Sequence, residues 1–276
     1  MIRPIKAIVI RSLIKLSRDK MRLFFTLFMS GLFLFIFSFV TRSAVAGFSH
    51  PMNYLISGII IMTVFQTSLN NSMNILDDIA NGFMKEILVA PIKRWQIALG
   101  HIISSTIVSV FQGLIIIIAG FFIGLQFDWF HGTVMFILMC LVGLTFSSLG
   151  LYLASITKES ANFQFLVTLV TIPLTFLSGA YIPTVAIPKI LSLVIYLNPL
   201  TYTTAAFRSV TLHLENMPAA QLIKDGVAFN LNGFIITPGM SAALVAVMGI
   251  VFFTFCVNRF NSTDFSKVKI FKHGRR

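Results

Sequence analysis

The stretch IALGHIISSTIVSVFQGLIIIIAGFFI, residues 97–123, runs 27 residues without one Asp, Glu, Lys or Arg. About 20 apolar residues suffice for a helix to cross the hydrocarbon of a bilayer. The run shows no inward/outward alternation, so it reads as a spanning helix and not as a barrel strand. Trp95 and Trp129 bracket it, where interfacial aromatics belong.

Working outward, the pattern recurs. Met52–Ser72 and Leu23–Val40 precede the stretch; Val134–Ile156, Phe163–Ile182 and Met240–Val257 follow it. Pro173 is expected to kink the fifth of these six spans. The composition agrees: 57% of the 276 residues are hydrophobic and 11% charged, with a mean hydropathy of +0.90. A soluble domain carries about 25% charged residues. The expectation is one all-α integral membrane domain over residues 1–276, with six transmembrane helices and no detachable soluble part.

The segments between spans carry the charge. Residues 1–22 set Ile2, Ile5, Ile8, Val9, Leu13 and Leu16 against Arg3, Lys6, Arg11, Lys15, Arg18 and Lys20. At helical spacing this is a basic amphipathic helix, suited to an anionic membrane face. Ala44-Val45-Ala46 resembles a signal-peptide cleavage site, but the 18-residue run before it exceeds the roughly 7–15 of a signal h-region. The first span is expected to be retained. Spans one to five occupy 23–182, an external segment 183–238, span six 239–258 and a basic tail 259–276. With the N-terminus in the cytoplasm, 17 of the 21 Lys and Arg lie inside; Arg42, Lys189, Arg208 and Lys224 lie outside. That asymmetry predicts both termini in the cytoplasm, and it explains the net charge of +12 without nucleic acid.

No G-x-x-x-x-G-K-[ST], H-E-x-x-H or G-x-S-x-G motif is present, so the chain has no phosphate loop and no signature of an enzyme. Cys140 and Cys256 lie in apolar runs without metal or disulfide spacing. His50, His101, His131, His213 and His273 are scattered and read as surface residues. The six cores lack Asp, Glu, Lys and Arg, which argues against an ion-coupled transporter and for an external energy source. Gln66, Asn70 and Asn74 recur every four residues beside Thr63 and Thr67. They predict either a polar wall along a cargo pathway or interhelical hydrogen bonding. Gly120-x-x-x-Gly124 and Ala242-x-x-x-Ala246 are small-residue faces for helix contact.

Two segments are more specific. After the second span, Asp77 to Arg94 holds a short amphipathic helix with Met84, Ile87 and Leu88 at helical spacing, ended by Pro91. Such a helix either rests on lipid or docks into a partner's groove. In the external segment, Val185–Tyr196 is too short to cross and suits a re-entrant or interfacial helix.

The first segment resembles the coupling region of ABC export permeases of the second type, the ABC-2 family, through Gly82, Phe83, Glu86, Leu88, Val89, Ala90, Pro91, Arg94 and Gly100. A second resemblance is F-L-S-G at 176–179, Pro183, Pro188, then N-P-L-T-Y at 198–202 and Arg208. Asp77 and Asp78 are what this chain keeps of a larger charged cluster; Ala205 stands where relatives often carry an acid, and His101 where a Lys is common.

The resemblance implies a permease subunit in the cytoplasmic (inner) membrane, paired with a second or homologous permease and with ABC ATPase subunits. ATP and Mg would sit on the ATPase, and no cofactor on this chain. Gly82, Phe83, Glu86, Ile87, Leu88, Pro91 and Arg94 would couple to the ATPase, Phe83, Ile87 and Leu88 forming the apolar anchor. Gln66, Asn70 and Asn74 would line the pathway. Gly179, Pro183, Asn198, Pro199 and Tyr202 would shape the external gate. The alternative is an ATP-independent channel or scaffold.

Overall fold

The computed structural model describes residues 3–21, 24–25, 28–33, 35–36, 51–89, 92–121, 128–157, 159–181, 184, 187–215, 217–231 and 234–262. In chain order, α1 is Arg3–Arg18, α2 Pro51–Asn70, α3 Met73–Ala80, α4 Phe83–Val89, α5 Arg94–Phe121, α6 Trp129–Ile156 and α7 Ser160–Phe176. A 3-10 turn at Lys189–Leu191 leads into α8 Ser192–Leu197, α9 Pro199–Thr211 and α10 Ala219–Lys224. Strands β1 Phe229–Leu231 and β2 Phe234–Ile236 precede α11 Pro238–Ser262. The described part of the expected first span, 24–25, 28–33 and 35–36, is helical. The Ala44-Val45-Ala46 site, Gly124 and the tail beyond Ser262 lie outside the described residues.

Among the described residues three helices, α5, α6 and α11, are long and apolar enough to cross a membrane, and α7 is a shorter apolar helix. At about 1.5 Å per residue, the 28-residue α5 and α6 exceed a hydrocarbon core of roughly 30 Å. α6 lies at the centre, packed against α2, α5 and α11. Phe65 of α2 meets Phe146 of α6 edge to face at 4.6 Å. Outward, Phe111, Ile118, Ile137, Leu144, Val247 and Ile250 are exposed. In water that surface would be an aggregation-prone patch; in a bilayer it is the lipid face.

The structure departs from the sequence reading at several places. α7 ends at Phe176, not at Ile182, and the chain turns through Leu177–Tyr181. Pro173 withholds one helical donor, and Gly179 takes a φ of 80°, a left-handed value that ends helical geometry. The loop after α2 is two helices, α3 and α4, parted by Asn81-Gly82, where Gly82 has a φ of 79°. α1 packs along α5, its Ile8 seated on Gly100, while Ile10 and Ile14 remain exposed. Residues 183–238 hold, beyond short helices, an antiparallel hairpin pairing Phe229 with Ile236.

Candidate functional site

Three arrangements carry the candidate residues. The first is the corner where α1, α3, α4 and α5 meet. Arg11 of α1 donates from Nη1 and Nη2 to the two carboxylate oxygens of Asp78 on α3, both at 2.7 Å. Its guanidinium carbon also stands 3.9 Å from the centre of the Phe83 ring on α4. One side chain thus touches three elements. Asp78 is buried, and the paired carboxylate raises the Arg11 pKa further, holding the guanidinium charged. Lys15 donates to Asn74 at 2.9 Å and lies 3.4 Å from Asp77.

His101 of α5 completes this corner. Its side chain is buried, with Nε2 4.0 Å from the Asp78 carboxylate, which corrects its reading as a surface residue. The buried Nε2 makes no hydrogen bond among the described residues, and the Arg11–Asp78 pair is the polar group nearest it.

On α4 the two faces differ. Met84 is buried and Ile87 packs half-buried against the permease's own core, while Phe83 lies beneath Arg11. Glu86 is exposed, and Val89 is 88% exposed. Phe83 and Ile87 therefore face inward, and among the described side chains of α4 the outward apolar group is Val89. Their helical spacing marks one face but not which side the chain itself covers. The side chain of Leu88, and Pro91, lie outside the described residues. Arg94 donates to the carbonyl of Asn261 at 3.0 Å, tying the start of α5 to the end of α11.

The second arrangement is a cavity of about 350 Å³. Thr63, Gln66, Thr67, Asn70 and Gln112 form one wall; Phe25, Met29, Phe33 and Tyr181 form much of the other. Thr67 donates to Gln112, and Ser30 meets Thr63 at 3.0 Å. Gln66 and Asn70 share this wall, but Asn74 does not. α2 stops at Asn70, the chain turns at Asn71-Ser72, and Asn74 starts a different helix under Lys15. The four-residue stripe is broken by that turn.

The third arrangement lies at the turn after α7. Asn198 caps α9, its Oδ1 accepting from Leu200 N at 2.9 Å with Pro199 in the first turn. Its Nδ2 donates to the carbonyl of Leu174 at 2.9 Å, one of the orphan acceptors at the end of α7. Tyr202 donates to the carbonyl of Tyr196 at 2.7 Å. Arg208, which charge counting put outside, is 1% exposed. It donates to the carbonyls of Gly179 and Ala180, each at 3.1 Å, and its guanidinium lies 3.4 Å from the Tyr54 ring centre. Gly58 permits this approach: a Cβ there would stand 2.3 Å from the Ala180 carbonyl oxygen. Pro183 lies outside the described residues.

A sequence model of the family described as ABC-2 type transporter matches residues 3–212, which hold all three arrangements. The chain belongs to the ABC-2 type transporter family. Its relatives include the transport permease ycf38 of Cyanophora paradoxa, 26% identical over 260 residues, covering 91% of this chain and 87% of that one. The ycf38 permease of Pyropia yezoensis is 31% identical over 223 residues, 75% and 74% of the two chains. The inner membrane transport permease YadH of Escherichia coli is 27% identical over 182 residues, 62% of this chain and 67% of YadH. Membership of the ABC-2 family, with its long apolar helices, makes the chain an integral membrane transport permease.

Proposed function

We propose that this ABC-2 permease is the membrane subunit of an ATP-driven exporter in the cytoplasmic membrane, powered by a separate ATPase that binds ATP and Mg. It crosses the bilayer six times with both termini in the cytoplasm, and it pairs with a second or homologous permease. The observation that carries this reading is the corner at Arg11. A short helix, α4, offers Glu86 and an almost fully exposed Val89 to a partner, while Arg11 ties its inner face to α3 and α1. An ATPase moving α4 would pull on α1 and, through Ile8 and Gly100, on α5.

Cargo would pass along the cavity of Gln66 and Asn70 and leave past the turn at Gly179, Asn198, Pro199 and Tyr202. The Gln66 carboxamide makes no hydrogen bond through its side chain among the described residues, so it has donors and an acceptor to offer.

Val89→Asp tests the proposal. Burying an unpaired carboxylate in an apolar groove costs several kcal/mol, and a loss of about 2.8 kcal/mol weakens docking about a hundredfold. The variant should reach the membrane at wild-type levels yet fail to co-purify with, or stimulate, its ATPase. Equal recovery and equal transport would assign α4 to the lipid surface and overturn the coupling role.

A further inference from the structure

A second cavity, of about 510 Å³, lies where the starts of α6 and α11 meet α9 and α10. Val134 and Leu138 of α6, Val210 of α9 and Leu222 of α10 line it, the last three of them buried. On α11 the lining residues are Gly239 and Ala242, and a Cβ at Gly239 would meet nothing within 4 Å. Small side chains here leave the space open. Met217 and Gly239 are exposed at its rim. Glu215, 39% exposed, is the one Asp, Glu, Lys or Arg among the described lining residues.

Water is a poor occupant. A buried water makes about three hydrogen bonds, and these apolar side chains offer none. The Ser209 hydroxyl, also in the lining, already donates to the Ala206 carbonyl at 2.9 Å. An empty hollow would forfeit the dispersion contacts of the side chains on its wall. Its depth in the bilayer supplies an occupant. Trp129, 83% exposed at the first residue of α6, marks the headgroup level as interfacial aromatics do. At about 1.5 Å per residue, Val134 and Leu138 lie about 8 and 14 Å further along that helix. Ala242 is about one turn into α11. The cavity thus runs from headgroup level to acyl-chain depth, with a carboxylate on its rim. On α11 it adjoins Met240 and Leu244, which are exposed on the lipid face. One oxygen of Glu215 lies 3.3 Å from His131 Nε2, and a carboxylate has further lone pairs for a second donor. No Lys or Arg is among the described lining residues, so an anionic headgroup finds no partner here.

We propose that this cavity holds one acyl chain of a phospholipid whose ammonium headgroup meets Glu215. The phosphate stays at the water-facing rim, and the chain packs between Leu138, Val210, Leu222 and Ala242. One lipid then joins α6, α9, α10 and α11. The site requires α6 and α11 to cross the bilayer. It asks nothing of α4 or of an ATPase, so it stands or falls apart from the coupling role.

Photo-crosslinking tests it on the full chain in nanodiscs of equal phosphatidylethanolamine and phosphatidylglycerol. Each lipid in turn carries a diazirine near the end of one acyl chain, and mass spectrometry locates the adducts residue by residue. Adducts should fall on Leu138, Val210 or Leu222. The ethanolamine lipid should exceed the glycerol lipid there by about threefold or more, the scale of one partly exposed charge pair. In Glu215→Gln the two lipids should reach parity while the adducts persist. Ala242→Leu, which fills the space, should lose them yet keep those at Val247 and Ile250 on the outer face, 58% and 64% exposed. The wild-type result needs no variant to fold. Adducts confined to the outer faces of α6 and α11, equal labelling of the wild type by both lipids, a preference unchanged in Glu215→Gln, or cavity adducts surviving Ala242→Leu would each overturn the site.

Discussion

The guanidinium of Arg208 is stacked 3.4 Å from the centre of the Tyr54 ring, with its Nη2 shared between the carbonyls of Gly179 and Ala180. The charge is thus buried within the protein, where it joins α9, α2 and the turn after α7. Desolvated cation–π contacts are worth about 2 kcal/mol, and buried acceptors stripped of donors cost about 1–3 kcal/mol. Arg208→Met should therefore lower stability by about 3 kcal/mol, measured by thermal unfolding in detergent. Arg208→Lys should recover only part, because a single ammonium cannot stack and bridge both carbonyls as a planar fork does.

The pairing of Arg11 with Asp78 predicts a non-additive pattern. Arg11→Met alone strands a buried carboxylate and should cost about 2 kcal/mol, less than a fully buried pair because Arg11 is 39% exposed. Arg11→Met with Asp78→Leu should cost less than the single change, since both partners are then apolar. A double-mutant cycle on thermal unfolding checks the sign. ATPase stimulation should nonetheless fall in both, because α1 no longer grips Phe83.

Gly58→Ala should be damaging in a way its chemistry does not suggest. The added methyl would meet backbone, not a flexible side chain. Gly31→Ala, with nothing within 4 Å of the new carbon, should be neutral or slightly stabilising, as alanine is favoured in helices by about 1 kcal/mol. Unfolding temperatures of the two variants side by side separate close approach from helix propensity.

For topology, single cysteines at Val89 and Trp129, 88% and 83% exposed, should react from opposite sides of intact cells once Cys140 and Cys256 are replaced by serine. Val89→Cys should need a permeant reagent and Trp129→Cys should not. Reaction of both from one side would refute the proposed arrangement of spans.

The long apolar helices were legible because bilayer thickness imposes a length that composition meets without ambiguity, as at Arg94–Phe121 and Trp129–Ile156. The N-P-L-T-Y stretch was legible as a motif, but its work was not. Nothing local says that Asn198 caps one helix while tying off the end of another 24 residues earlier. His101 was misplaced for the same reason: partners distant in sequence decide whether a polar group lies inside. The hairpin did leave a local trace, since Asn232-Gly233 between Phe229-Asn230-Leu231 and Phe234-Ile235-Ile236 is a turn signal between strand formers. The break of the Gln66, Asn70, Asn74 stripe left none, because a helix with four-residue spacing reads the same through a turn at Asn71-Ser72.

The contact of Gly58 with Ala180 also limits how the cavity can widen. Backbone lies against backbone there, and Arg208 ties the same turn to Tyr54, which couples α2 to the 177–181 turn. The seam left to part is on the opposite side, where Phe33 lies parallel to Tyr181 at 5.6 Å. Two flat rings slide and separate at small cost compared with a backbone carbonyl packed against a glycine.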